Sequence, residues 1–130
     1  MRNVKLLALV GVMMLALASC KKDSDTSKFS IVGKWNVDLF SEKFGYDSFE
    51  QENYGTIEFN EDNTGTFDKK GDFTWVYVSS GKMLTITLDR SFTVYNYKLS
   101  KATSSKVVGS YNESYGSAKY EGEIELSKIE

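Results

Sequence analysis

From Ser30 onward the chain alternates apolar and polar residues with period two, and turn residues break the alternation roughly every eight to twelve positions. That pattern admits few folds. Period two makes strands, and no stretch sustains the helical period. Eight strands can be read in order: Gly33 to Phe40, Thr56 to Asn60, Thr64 to Asp68, Phe73 to Val78, Met83 to Leu88, Phe92 to Leu99, Lys106 to Tyr111 and Lys119 to Ile129. Most connections are short, as antiparallel hairpins require. A meander of eight strands can close on itself and so remove its exposed edges. The sequence therefore predicts an all-β domain, an eight-stranded antiparallel up-and-down barrel over residues 29–130.

Particular strands carry the detail. In the first, Trp35, Val37 and Leu39 share one face against Lys34, Asn36 and Asp38. The fourth is apolar on both faces. In the sixth, Tyr95, Tyr97 and Leu99 compete with Phe92 and Val94 for the inward positions. The segment from Ser41 to Gly55 is the longest connection and carries Phe44, Tyr46, Phe49 and Tyr54.

Histidine is absent, which removes the usual general base near neutral pH and the commonest metal ligand. One cysteine, Cys20, excludes an intrachain disulfide and a cysteine-based zinc site. The acids Glu50, Glu52, Glu58, Glu61, Asp62, Glu121, Glu123 and Glu125 fall mostly on outward strand positions or in turns, so no catalytic pair stands out. "NEDNTG", from Asn60, looks like the start of a calcium loop, but the twelfth position is Gly71 rather than glutamate, and a hairpin turn explains it. Asn112-Glu113-Ser114 forms a sequon that matters only in a host with glycosylation machinery. These readings predict no enzyme, no metal, no cofactor and a monomeric protein.

The opening "MRNVKLLALVGVMMLALASC" has the parts of a secretory signal. Arg2 and Lys5 precede an apolar run from Leu6 to Ala18, short of the roughly 20 residues that span a bilayer. Leu17-Ala18-Ser19-Cys20 resembles a bacterial lipobox, which implies a signal peptide over residues 1–19 and acylation of Cys20. Several acyl chains on one residue anchor stably where one does not. Residues 20–28 then form the lipidated cysteine and a polar tether. Removing Arg2 and Lys5 leaves 14 bases against 18 acids, a net charge of −4 and no basic footprint for nucleic acid. Lys21 replaces the aspartate that retains lipoproteins at the inner membrane, so the outer membrane is the expected address. Lys21 and Lys22 precede Asp23 and Asp25, which leaves the leaflet open.

The lipobox and tether, Gly33-Lys34-Trp35, "GTIEFNEDNTGTF" from Gly55, "FTWVYVSSGKMLTITL" from Phe73, "YNYKLSKATSSKVV" from Tyr95 and "EIELSKI" near the end occur in that order. Together they resemble the lipocalin-like domains of Bacteroidetes lipoproteins. The chain departs from secreted lipocalins in its length, in lacking a disulfide and in having "SKATSS" where a Thr-Asp-Tyr motif is expected. The resemblance implies that Gly33 and Trp35 lie at a closed end, with Lys128 standing in for an arginine that stacks on the tryptophan. A lysine in that role holds its amine within roughly 6 Å of the ring. It also implies an open end where Phe44, Tyr46, Phe67, Phe73, Leu88, Tyr95 and Tyr111 are candidate ligand contacts. Those aromatics could equally fill the barrel as core. Two functions follow: a module binding a small hydrophobic or amphipathic ligand in the barrel or at its rim, or a solid barrel whose rim loops contact a glycan or a protein.

Overall fold

The computed structural model describes residues 29–129. The signal peptide, Cys20 and most of the tether lie outside the described residues. The strands are β1 (Gly33–Phe44), β2 (Asp47–Glu52), β3 (Thr56–Phe59), β4 (Thr64–Phe67), β5 (Gly71–Val78), β6 (Met83–Leu88), β7 (Val94–Ala102), β8 (Lys106–Tyr115) and β9 (Ala118–Lys128). β1 and β3 to β9 form one antiparallel meander, and β1 pairs with β9 to close it. The result is a closed eight-stranded barrel with one extra strand, β2.

The extra strand corrects the expected end of the first strand at Phe40. β1 continues to Phe44, turns through Gly45 and Tyr46, and returns as β2, which pairs with β1 from Leu39↔Glu52 to Phe44↔Asp47. On the same side of β1, β3 pairs with Gly33 to Asn36. The expected connection after Tyr111 is also paired, up to Tyr115↔Ala118. Both segments are polar and read as loops in isolation. The ladder Lys43↔Glu121 and Phe44↔Tyr120 gives their backbone groups partners and makes them strands. One wall of the barrel, β2-β1-β9-β8, therefore rises above the rest.

A bulge sets what that wall presents. Val37 pairs with Leu126 and Leu39 with Glu125, so Asp38 is an extra residue in β1. Before it Trp35 and Val37 point inward; beyond it the phase shifts and Phe40 is buried while Leu39 is only half-buried. The expected inward position of Leu39 is thus overturned by one inserted residue. Asp38 clamps the bulge. It accepts from the Ser127 hydroxyl, from Lys106 Nζ at 2.9 Å and from Asn36 Nδ2 at 2.7 Å. Its backbone carbonyl accepts from Asn53 N at 2.9 Å, which ties the start of the β2–β3 link to the same point.

The interior is filled. Lower in the barrel Phe59 packs edge-on against Phe73 and Trp75, with ring centroids 5.3 and 5.6 Å apart. Higher up Phe40 meets Phe67, Tyr95 and Tyr54 at 5.7, 5.9 and 5.2 Å. Tyr95, Tyr97 and Leu99 take the inward positions of β7, and Phe92 and Val94 are exposed. No charged or polar residue is buried among the described residues.

The closed end is plugged by Trp35, which is fully buried and donates from Nε1 to the Ile31 carbonyl at 2.8 Å. Lys128 lies across it, its ammonium 4.8 Å from the ring centroid and 3.3 Å from the Val32 carbonyl it donates to. Gly33 leaves room for this lysine. Its φ of +131° favours glycine, and a Cβ there would sit 2.7 Å from Lys128 Cε. Lys128→Met keeps the alkyl stem and removes the charge, so chemical denaturation should show a loss of about 0.5–2 kcal/mol. The same change in a Trp35→Leu background should cost little.

Asp38 supplies a pH test. Burial opposes its ionisation, but hydrogen bonds from Ser127, Lys106 and Asn36 outweigh that and hold its carboxyl below the ordinary 3.8. The folded value lies below the unfolded one, so its stabilisation is complete above the unfolded value and fades as pH falls through the folded value. Asp38→Asn should lower stability at pH 7 by about 1 kcal/mol or less, the group being part-exposed, and the gap between the two proteins should close in strong acid.

Candidate functional site

The bulge aims Glu42 and Phe44 at the inner side of the raised wall, two and four residues beyond Phe40. β8 brings Tyr111 and Glu113 to the same side, and β9 brings Tyr120. Across the mouth stand Thr93 and Val94, at the start of β7, with Tyr95 beneath them. Together with Lys43 these residues line a pocket of about 310 Å³ at the open rim, above the filled interior. That volume lies at the lower end of the range for small-molecule sites.

The pocket has apolar walls and a polar floor. Phe44 and Tyr120 stack with ring centroids 4.6 Å apart and planes at 17°. On the floor Tyr95 stacks on Tyr97 at 5.8 Å, and Tyr111 packs against both, at 6.0 and 5.5 Å. Tyr111 is held over Gly122, its register partner on β9, where a Cβ would sit 2.5 Å from the ring and its hydroxyl. The missing side chain makes a seat for the tyrosine.

Glu42 organises the polar groups. It accepts from the Tyr95 hydroxyl at 3.0 Å on Oε1 and from Lys70 Nζ at 3.1 Å on Oε2. Lys70 also lies 5.2 Å from the Phe40 ring centroid, so its cation joins the carboxylate to the aromatic core. Burial, reinforced by the Glu42 charge, pushes the Tyr95 phenol well above its ordinary value and keeps it a donor. Burial and then the charges of Glu42 and Glu113 push Tyr111 up to about 12. Tyr97 is fully buried, also with a raised pKa, and its hydroxyl has no hydrogen-bond partner among the described residues.

The candidates from the sequence divide into three groups. Phe44, Tyr95 and Tyr111 line the rim pocket. Phe67, Phe73 and Leu88 are buried in the core beneath it. Tyr46 sits at the tip of the β1–β2 turn and is fully exposed. Sequence reasoning missed Glu42, Glu113 and Tyr120. Glu42 looks outward in an unbroken alternation with Leu39, and only the bulge turns it in. Glu113 and Tyr120 lie in a segment that reads as a loop, although they are register partners.

Two other features flank the mouth. Phe92, in the β6–β7 turn, is 78% exposed and has φ +61°, a conformation bulky residues rarely adopt. On the outer face of the raised wall is a more open groove of about 450 Å³ with Ser48, Glu50, Asn112, Glu121 and Glu123 along it. It lacks the stacked apolar wall of the rim pocket, which makes the rim pocket the better ligand site. No group of three or more metal-ligating side chains occurs among the described residues.

Fold and site define a closed β-barrel with a filled interior and a small amphipathic concavity at its rim. Comparison with protein-family models, curated proteins and solved structures finds no match to the chain. The orphan hydroxyl gives a direct check on the floor. Tyr97→Phe removes a buried, unsatisfied polar group without changing shape, so the fold should be as stable as before or more stable by about 1–2 kcal/mol, measured by urea denaturation. A marked loss would mean the hydroxyl has a buried water as its partner.

Proposed function

We propose that this protein is a lipid-anchored, lipocalin-like lipoprotein of the outer membrane that binds a small amphipathic ligand at the rim of its barrel. The rim pocket carries this reading. It has a stacked aromatic wall, convergent hydroxyls and carboxylates, and a volume that holds one small molecule. The ligand belongs at the rim rather than in the lumen, because packed aromatic and aliphatic side chains occupy the interior. The lipobox at Cys20 supports the anchor.

A second reading draws on a different observation. Tyr46 and Phe49 are exposed on the β1–β2 hairpin, outside the pocket, as suits a rim that contacts a glycan or an envelope protein.

Native mass spectrometry of the protein purified from the membranes of its own host separates the two. Binding at the rim predicts a noncovalent adduct of small mass that is lost in the Phe44→Ala, Tyr120→Ala double variant. A bare protein, with a glycan or protein partner lost on Tyr46→Ala and Phe49→Ala instead, overturns it. In the same preparation Cys20→Ala should remove the acyl mass and release the chain from the membrane fraction.

A further inference from the structure

We propose that the rim pocket selects a small amphipathic amine, with its ammonium between Glu42 and Glu113 and its apolar body against Phe44 and Tyr120. The inference rests on the mouth being a ligand site and adds the charge of the ligand. It comes from which charges face the pocket. Alternation beyond the Asp38 bulge puts Glu42 and Phe44 on the inner side and Lys43 on the outer side, in register with Ser48 and Glu121. Lys70 is held by Glu42 Oε2 and the Phe40 face and does not line the pocket. Lys43 borders the pocket, but alternation turns its side chain to the outer face, so the charged side chains on the inner side are those of Glu42 and Glu113.

The remaining walls favour the same charge. Aromatic faces carry the negative side of the ring quadrupole and attract an ammonium within about 6 Å of the centroid. The Tyr111 phenol responds to both Glu42 and Glu113, so the fields of the two carboxylates overlap at the pocket floor. A carboxylate or phosphate brought there would face like charge on two sides. A neutral body would gain from Phe44 and Tyr120 alone. The volume of about 310 Å³ limits the guest to a single ring or a short alkyl chain beside its amine.

Three probes of one shape test this: 2-phenylethylamine, 2-phenylethanol and phenylacetate. Each is titrated into the purified full chain by calorimetry, with the Tyr95 and Tyr111 ring signals followed by NMR. The amine should bind about tenfold or more tighter than the alcohol, and phenylacetate weakest. Glu113→Gln should weaken the amine severalfold and leave the alcohol unchanged. An alcohol that binds as tightly as the amine overturns the charge inference while leaving the rim site standing. If none of the three shifts Tyr95 or Tyr111, the rim site itself falls, and the inference with it.

Discussion

The inserted residue at Asp38 is the constraint on which the upper half of this barrel depends. A strand that keeps strict alternation from Trp35 would send Leu39, Ser41 and Lys43 inward and leave Phe40 and Glu42 in solvent. The bulge reverses this within one residue. Phe40 becomes the hub of the upper aromatic layer, with Phe49, Phe67, Tyr54 and Tyr95 around it. Glu42 becomes the acceptor that joins Tyr95 and Lys70. The clamp on Asp38 comes from β8 and β9 through Lys106 and Ser127, so the strands that close the barrel also fix the phase of the strand they close against.

The two ends of the barrel follow different logic. At the closed end, a tryptophan, a lysine and a glycine fill space, and both polar side chains are hydrogen-bonded: Trp35 donates to Ile31, and Lys128 to Val32. At the mouth, polar atoms are only partly matched. The Tyr97 hydroxyl has no hydrogen-bond partner among the described residues, Phe92 holds a strained backbone, and Phe44 and Tyr46 are exposed. Buried polar groups normally find partners and bulky residues normally avoid positive φ, and the Tyr97 hydroxyl and Phe92 are two exceptions beside the pocket.

Much of the fold is legible in the sequence. Alternation between Thr56 and Leu88 locates β3 to β6 closely, because each strand has one buried and one solvated face and short turns bound it. The limits lie at Ser41 to Glu52 and Asn112 to Tyr115. These residues are strands only because each supplies the other's neighbours with a ladder, and pairing across the sequence leaves no local mark. The site was half legible for the same reason. Phe44, Tyr95 and Tyr111 stand out as large aromatics, whereas Glu42 and Glu113 resemble any solvated acid until the bulge and the β8–β9 ladder bring both to one pocket.

The closure of β1 on β9 also fixes which way the molecule faces. β1 starts and β9 finishes at the Trp35 end, so Phe29 enters the barrel at the sealed base. β1 runs for 12 residues, roughly 40 Å of strand, before it reaches the turn at Gly45. The cup therefore opens at the end opposite Phe29. The mouth presents Phe92, Tyr46 and the acid-lined rim, whereas the opposite end presents only the Trp35 plug.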